Sequence, residues 1–478
     1  CSMLVSVTLS AQRGLHGPRV VTVANTIVNE YTAVSANIAA GATTINVASS
    51  TLNANARFPG NLAPGDLVMI YQVQGATING TLTGIIASPL DSSWGRVMNY
   101  NTCGNWEFAE VRTVPNATSF TIDCGTRFAY TTGGTNRAQV IRVPRFTTLT
   151  VNAAAVLTCD DWNGTVGGVL AVEVDQNTVN NGSIDATGRG FRGGTLVGDN
   201  LAGFANNMGS TDPSYGARKG EGISGNDADY DPMGGRYGRG AAGNGGGGGC
   251  GHNGGGGGGA NAGTPGNWKG MGVPDPNGAF TAAWNLDPMY GLNYITTLNL
   301  ANSSGGGRGG YSWGSSNQNA GVTGPNNGAW GGANRAWDQT GLGGRPLDYT
   351  TGRLFFGGAG GAGDQNNNYG GIGGDGGGLI YIMNYGTITG SGIVVSNGNA
   401  GANAQGTPPN SGYSGSDGAG GGGAGGAIIL NSVGAISGIT ANANGGAGGN
   451  QVMTAGPFFF GTINESQGPG GGGGGGYI

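Results

Sequence analysis

In Gly167-Gly-Val-Leu-Ala-Val-Glu-Val174, Gly377-Gly-Leu-Ile-Tyr-Ile382 and Gly425-Gly-Ala-Ile-Ile-Leu430 the chain repeats one short unit, two glycines followed by an apolar stretch. Each copy continues through a short gap to a second apolar pair and ends in a polar, glycine-rich turn. One such unit cannot bury its own strands, whereas stacked units cover each other's apolar stripes. The repeat therefore predicts a parallel β-helix in which the three copies are coils.

Glycine content divides the chain into two regions. Glycine accounts for 109 of the 478 residues, and only 13 of those glycines fall within the first 150 residues. Residues 13–145 carry short β-branched stretches separated by turn residues, which predicts an N-terminal β-sandwich or barrel domain. Residues 146–478 are predicted to form the glycine-rich β-helix, or solenoid, and residues 195–376 form a long aromatic- and glycine-rich insertion between its coils. The fold class is therefore all-β.

The low charge excludes several classes of protein. Charged residues make up 9% of the chain, the net charge is -5, and Lys219 and Lys269 are the only lysines. A nucleic-acid partner would require a concentrated basic face, which this sequence lacks. The glycines disfavour helical bundles and do not follow the three-residue period of collagen. No run of eighteen apolar residues is present, so no transmembrane helix is expected.

The glycine runs at residues 245–249 and 254–259 are longer than turns require. Bare backbones can lie side by side as extended strands of the polyproline-II type. The other interpretation is that the runs are loops without regular packing. Both interpretations are open at the level of the sequence.

Both ends of the chain predict export of a longer protein. Residues 1–12 resemble the remnant of a secretory signal peptide, with cleavage near Ala11 or Gln12. A first β-strand and a lipid-modified Cys1 are the alternatives for this segment. At the other end, the glycine run before Tyr477 resembles the start of a further repeat, so we expect the sequence to be truncated there. The protein is expected to be extracellular or attached to the cell surface.

The tryptophans of the insertion allow two interpretations. They could form a contact surface for a ligand, because rigid aromatic side chains bind at low entropic cost. They could instead be the anchors of a segment that has few other apolar residues. The tryptophans are Trp268, Trp284, Trp313, Trp330 and Trp337.

A few polar residues have spacings typical of chemistry. Asp227, Asp229 and Asp231 alternate as in the opening of a calcium loop, but Pro232 and Gly238 stand where the loop glycine and closing glutamate belong. A Ca²⁺ site completed from elsewhere and a solvated acidic turn are the two interpretations. Cys250 and His252 could ligate a metal only if two further ligands joined them.

The cysteines and one pair of carboxylates allow two further hypotheses. Cys103 and Cys124 flank a predicted hairpin and could form a disulfide, whereas Cys159 and Cys250 could pair or remain free. Asp160 and Asp161 could serve a polysaccharide-cleaving β-helix as acid and base. Adjacent residues on a strand point to opposite faces, however, which weighs against a shared site.

Four stretches of the chain resemble the N-terminal part of a family of large glycine-rich surface proteins. They are residues 28–42, residues 65–76, Val140-Ile-Arg-Val-Pro-Arg145 and Asp185-Ala-Thr-Gly-Arg-Gly-Phe-Arg-Gly-Gly194; Lys219-Gly-Glu-Gly222 is similar as well. The family occurs in gliding and related Gram-negative bacteria that use the type IX secretion route, and it includes adhesin-like proteins. The resemblance implies an exported protein with a C-terminal sorting domain, and it transfers no catalytic residue.

These observations favour a non-enzymatic extracellular surface protein. Its expected partners are surface glycans or other cell-surface proteins, and its expected role is adhesion or a structural surface filament. The alternatives are a polysaccharide-degrading β-helix enzyme and a fibre subunit that self-associates. No cofactor is expected apart from the Ca²⁺ ion considered above.

Overall fold

The computed structural model describes residues 12–81, 94–197, 207–250, 253–268, 304–310, 313–314, 340–365, 368–404, 417–450, 465–466 and 468–478. Of the predicted signal-peptide remnant, residues 1–12, only Gln12 lies within these ranges. Three short 3-10 helices span Pro213–Tyr215, Asp227–Met233 and Pro265–Asn267. No helix of the described part is long and apolar enough to cross a membrane.

The remaining regular structure is β. The strands are β1 (Arg19–Val21), β2 (Thr26–Ile27), β3 (Glu30–Ala33), β4 (Thr44–Asn46), β5 (Leu67–Gln74), β6 (Thr77–Ile78), β7 (Val97–Asn99), β8 (Trp106–Asn116), β9 (Ser119–Ile122), β10 (Arg137–Val143), β11 (Arg145–Phe146), β12 (Leu149–Val151), β13 (Val156–Thr158), β14 (Val169–Val174), β15 (Thr178–Asn180), β16 (Ser183–Asp185), β17 (Trp313–Gly314), β18 (Leu379–Asn384), β19 (Ile388–Thr389), β20 (Ile393–Val395), β21 (Ala427–Ser432), β22 (Thr440–Asn442) and β23 (Glu465–Ser466). The all-β class predicted from the sequence is confirmed.

Three parallel sheets form the β-helix. Their strand orders are β1-β12-β15-β19, β2-β13-β16-β20-β22 and β11-β14-β18-β21. The three repeat copies are the successive coils that begin with β14, β18 and β21. The register is constant between the first two of them, since Val169 pairs with Leu379 and Ser183 with Ile393, each 210 positions later. The inserted residues 195–376 therefore leave and re-enter the solenoid without shifting its register.

The interior of the β-helix is mainly apolar, with a few buried polar side chains such as Thr178 and Asn180. Leu170, Ile380 and Ile428 occupy the same position of consecutive coils and are buried. Leu149, Val151 and Leu157 of the preceding coil are fully buried in the same cluster. Each coil thus covers the apolar side chains of its neighbour, which is the packing that the repeat predicts.

The N-terminal domain is a barrel rather than a sandwich. Its six antiparallel strands follow the order β3-β10-β5-β8-β9-β4. Beyond β3 and β4 the ring is closed by an antiparallel bridge between Val34 and Val47 and by the Ser35 N–H donating to Asn46 O at 3.0 Å. Closure leaves no unpaired sheet edge.

The N-terminal boundary differs from the one that composition indicates. Strands β1 and β2 lie in the region assigned by sequence to the barrel domain, but they pair with β12 and β13 of the β-helix. The barrel is consequently an insertion between the first and second coils. Very short strands with partners some 130 residues away have no local signal that would assign them to a solenoid.

Strand β5 joins the two units, because both of its faces are buried. Val68 and Ile70 face the barrel interior, whereas Met69 and Tyr71 pack in a second cluster with Ala171 on the outer face of the β-helix. Ion pairs also connect the two units, because the Arg145 guanidinium pairs with Glu173 of the β-helix and with Glu110 of the barrel, each at 2.5 Å.

The glycine runs form a third unit, which we call the glycine bundle. It comprises residues 217–222, 238–249, 254–260, 306–310, 341–347, 357–364, 371–378, 398–404, 418–426, 443–449 and 468–476. In residues 418–426 successive backbone N–H groups donate in turn to segments 358–364, 468–474 and 396–402, so that every third N–H meets the same neighbour. This three-residue period is that of polyproline-II helices, which have no internal hydrogen bonds. The extended interpretation of the glycine runs is therefore correct.

Glycine is required because the segments touch through their backbones. A Cβ atom on Gly421 would lie 2.0 Å from Gly257 O, and one on Gly258 would lie 2.0 Å from Gly472 O. The outer face is different, since a Cβ on the exposed Gly475 would meet no atom closer than Ala443 O at 4.0 Å. At these interior positions of the bundle no side chain can be accommodated.

This contrast predicts opposite outcomes for two otherwise identical substitutions. Gly421→Ala should lower the free energy of unfolding by about 3 kcal/mol or more, because the buried backbones must separate. Gly475→Ala should change it by less than about 1 kcal/mol, on the stabilising side, because alanine restricts the unfolded chain. Denaturant unfolding of the two variants measures both effects, and equal losses would contradict the bundle packing.

Candidate functional site

A pocket lies where the β-helix meets the glycine bundle. Its volume is about 490 Å³. The turn that follows β16 supplies its centre, and the remaining side chains come from three distant parts of the sequence. The lining residues are Asp161, Trp162, Thr187, Gly188, Arg189, Gly190, Arg192, Asp375 and Asn399.

Local hydrogen bonds shape the turn that presents the two arginines. The Asp185 carboxylate accepts the Thr187 N–H at 2.7 Å, and Gly188 follows with a φ of 64°. A Cβ on Gly188 would collide with the Asn399 amide, so glycine is needed at this position for its conformation and for space. The Gly190 N–H then donates to Gly376 O at 2.7 Å, which directs the chain into the glycine bundle.

A buried carboxylate holds one wall of the pocket. Glu221 is 1% exposed and accepts hydrogen bonds from Trp162 Nε1 at 3.0 Å and from Gln74 Nε2 at 3.0 Å. It also accepts from the backbone N–H of Arg192 at 2.9 Å and from its Nε at 2.8 Å. Arg192 is thereby fixed at the edge of the pocket, where its side chain is 40% exposed. Sequence analysis gave Glu221 no role.

Asp160 and Asp161 point to different places, as expected for adjacent residues of an extended segment. The Asp160 carboxylate forms a two-pronged ion pair with Arg57, with distances of 2.6 and 2.9 Å. Asp161 faces the pocket and pairs with Arg189. The hypothesis that both carboxylates serve one site is therefore wrong, and only Asp161 is placed for contact with a ligand.

A second carboxylate reaches the pocket from the insertion. Asp375 Oδ1 accepts the Gly193 N–H at 2.8 Å. Burial raises the pKa of Asp375, although this backbone bond opposes the effect. The pocket thus combines the carboxylates of Asp161 and Asp375 with two guanidinium groups and the Asn399 amide. Donors and acceptors fixed in this way suit a ligand rich in hydroxyl groups.

The predicted aromatic surface of the insertion is described only in part. Trp268 Nε1 donates to Gly343 O at 2.9 Å and to Gly344 O at 3.0 Å, and its ring lies 3.6 Å from the Arg345 guanidinium carbon. These contacts make Trp268 an anchor of the glycine bundle rather than a free contact residue. Trp313 begins β17, which pairs with β23. Trp284, Trp330 and Trp337 lie outside the described residues.

The proposed calcium ligands are instead bound to arginines. Asp227 pairs with Arg218 at 3.0 Å and with Arg236 at 3.3 Å, and Asp231 also pairs with Arg236. Asp229 lies 3.3 Å from Arg137 Nη2 and accepts the Asn226 N–H at the start of the 3-10 helix. The described residues contain no cluster of three or more His, Cys, Asp or Glu that could hold a metal ion. The metal site expected at these three positions is therefore not formed, because guanidinium groups neutralise the carboxylates.

The disulfide predicted between Cys103 and Cys124 is not formed. Cys103 is buried and its thiol donates to Val73 O at 3.3 Å, whereas Cys124 is exposed. The hairpin is present, but its register pairs Val111 with Ile122. Cys103 therefore lies in the turn before β8, six residues before the position opposite Cys124. Cys159 and Cys250 are free and buried, and His252 lies outside the described residues.

Lys219 is buried in segment 217–222 of the glycine bundle. Its Nζ donates to Met208 O at 2.6 Å and to Gly238 O at 2.7 Å, and it lies 4.4 Å from the centre of the Trp94 ring. None of the described carboxylates forms an ion pair with it. Burial lowers the pKa of Lys219 to about 7.

No protein-family model matches the chain, and no curated protein matches it. Partial similarity is found to solved phage tailspikes. The tailspike gp61 of Pseudomonas phage phi297 is 17% identical, with 33% of this chain and 24% of that chain covered and a TM-score of 0.15. The tailspike gp49 of Pseudomonas phage LKA1 is 17% identical, with 36% of this chain and 31% of that chain covered and a TM-score of 0.15. The tailspike Gp54 of Acinetobacter baumannii phage AP22, solved with A. baumannii capsular saccharide, is 13% identical, with 36% of this chain and 33% of that chain covered and a TM-score of 0.16. The matches thus span about a third or less of each tailspike.

Replacing Glu221 tests the structure of the pocket wall. Glu221→Gln should lower the free energy of unfolding by about 2 kcal/mol, because Arg192 loses its charged acceptor inside the protein. Asp123→Asn, an exposed acid-to-amide change in the barrel, should have no measurable effect and serves as the control. Equal denaturation midpoints for the Glu221 variant and the wild type would contradict the structural role of Glu221.

Lys219 predicts a pH-dependent stability. The unfolded chain holds the Lys219 proton up to its ordinary pKa of 10.5, whereas the folded chain releases it above about pH 7. The unfolded state therefore binds more protons between these values, and this residue makes stability rise as pH increases from 7. Between pH 7 and 8.5 the wild type should gain free energy of unfolding relative to Lys219→Met. Parallel stability curves for the two proteins would refute the effect.

Proposed function

We propose that the chain is part of an exported, non-enzymatic surface protein that binds glycans through the pocket between the β-helix and the glycine bundle. The observation that carries this proposal is the fixed set of donors and acceptors around Arg189, Arg192, Asp161 and Asp375. Saccharide hydroxyls both donate and accept hydrogen bonds, so such a set can satisfy them without water. Adhesion to glycan-coated surfaces is the role that we infer from it.

Rigidity supports this function. Glu221 immobilises Arg192 and Trp162 before a ligand arrives, and the Gly193 N–H does the same for Asp375. Side chains already held in place lose little conformational entropy on binding. Backbone segments of the glycine bundle hold the pocket, and in segment 418–426 every N–H donates to a neighbouring segment.

The proposed surface location rests on the resemblance to glycine-rich surface proteins. The pocket turn, residues 185–194, is one of the stretches that carry this resemblance. The weak charge and the closed packing of the described units suit an exposed position outside the cell, where a protein meets proteases. We infer export by the type IX route from the same resemblance.

Glycan-array binding of the purified chain tests the proposal. Arg189→Gln should reduce binding of the strongest array ligand by about tenfold or more, because one charge-assisted hydrogen bond contributes about 1.5 kcal/mol or more. Asp123→Asn, which is remote from the pocket, should retain wild-type binding. A blank array, or unchanged binding by the Arg189 variant, would refute the proposed glycan site.

One observation favours polysaccharide cleavage as a second candidate function. Asp161 and Asp375 share the pocket, and the raised pKa of Asp375 is the property that a general acid requires. Under this alternative, Asp375 would protonate the leaving oxygen and Asp161 would act as base or nucleophile. Release of new reducing ends from neutral polysaccharides, abolished by Asp375→Asn, would establish the enzyme. Binding without product would exclude it.

A further inference from the structure

Each of the two arginines among the described residues that line the pocket already has a carboxylate partner. The Arg189 guanidinium is paired with Asp161. The Arg192 guanidinium is held by Glu221, with Nε at 2.8 Å and Nη2 at 3.2 Å from its two oxygens. Both positive charges of the pocket are thus neutralised by carboxylates of the protein itself.

Asp375 adds a negative charge that is not held in an ion pair with any described residue, although the nearby Arg192 guanidinium partly offsets it. Among the described residues no Arg or Lys forms an ion pair with it, and its hydrogen-bond donors are uncharged. Glu221 lies just behind the pocket wall. Among the described residues of the site, Asp161, Glu221 and Asp375 against Arg189 and Arg192 leave one net negative charge when all five are ionised.

This charge distribution disfavours acidic sugars. A uronate or sialate carboxylate would meet only arginines whose charges Asp161 and Glu221 already neutralise, and it would lie close to the carboxylate of Asp375. A hydroxyl group is uncharged and is not repelled by these carboxylates. It can donate to Asp161 or Asp375 and accept from an arginine N–H without breaking either ion pair.

We propose that the pocket selects uncharged, polyhydroxylated saccharide units and rejects uronic and sialic acids, an inference that rests on the glycan-binding function proposed above. Asp375 is the residue that sets this selectivity, because among the described residues of the pocket it holds the carboxylate that forms no ion pair with an arginine. The arginines bind hydroxyl oxygens through N–H groups that their carboxylate partners leave free. Each guanidinium has five N–H donors, so a paired arginine retains some for a ligand.

The test is an array of matched oligosaccharide pairs that differ only at C6. Neutral hexamers of the gluco, manno and galacto series are printed beside the corresponding uronate hexamers, and the affinity of each binder is then measured by calorimetry. The best neutral hexamer should bind at least about tenfold more tightly than its uronate partner, the effect of one screened like charge.

Two substitutions separate selectivity from general binding. Asp375→Asn should bring the neutral-to-uronate affinity ratio close to one, a change that a purely structural role of this residue would not produce. Asp123→Asn should leave the ratio at its wild-type value. A ratio unchanged in Asp375→Asn would overturn the role of that residue.

The remaining outcomes distinguish the two proposals. If uronates are the best ligands on the array, glycan binding stands and the selectivity inference is overturned. If no saccharide binds, the proposed function fails and the inference fails with it. Tight binding of neutral hexamers with weak binding of uronates supports both.

Discussion

The structure depends on hydrogen bonds between backbones that have no side chains to separate them. Buried N–H and C=O groups must be paired, and in an insertion with few apolar residues they cannot be paired by an ordinary sheet around a core. Three-fold polyproline-II packing solves this problem, because each segment bonds several neighbours at once, as residues 418–426 do with 358–364, 396–402 and 468–474. At most interior positions of this packing a Cβ atom would collide with a neighbouring backbone, which explains why glycines are concentrated in these segments and not in the barrel.

The β-helix and the glycine bundle share their chain segments. Segment 371–378 leads directly into β18, segment 398–404 leaves after β20, and segment 418–426 leads into β21. Each glycine pair therefore joins a polyproline-II segment of the glycine bundle to a β-strand of the β-helix. As a result the register of the β-helix and the register of the bundle fix one another, and neither can slip by a residue without breaking hydrogen bonds in both.

The sequence predicted the elements whose signal repeats along the chain, and it failed where partners are remote. Paired glycines before an apolar strand were sufficient to predict three stacked coils, since the same pattern recurs at each. The assignment of β1 and β2 could not be predicted, because two or three residues bear no period. The glycine runs left two interpretations open, since their composition permits both loops and extended strands, and only the neighbouring segments decide between them.

The candidate site shows the same limit, and the reason is geometric. Asp161, Arg189, Asp375 and Asn399 lie far apart in sequence, and they meet because the coil of β14 to β16 stacks on the coil of β18 to β20 across the inserted residues. A search for neighbouring carboxylates finds Asp160 and Asp161 but not the carboxylate of Asp375, which only stacking brings near. The sequence also indicates the tryptophans as a binding surface, yet Trp268 is engaged with backbone carbonyls of the bundle. In a chain whose scaffold is mostly bare backbone, large aromatic side chains are needed as packing anchors. The residues available to bind a ligand are then the few polar side chains held where the β-helix meets the glycine bundle.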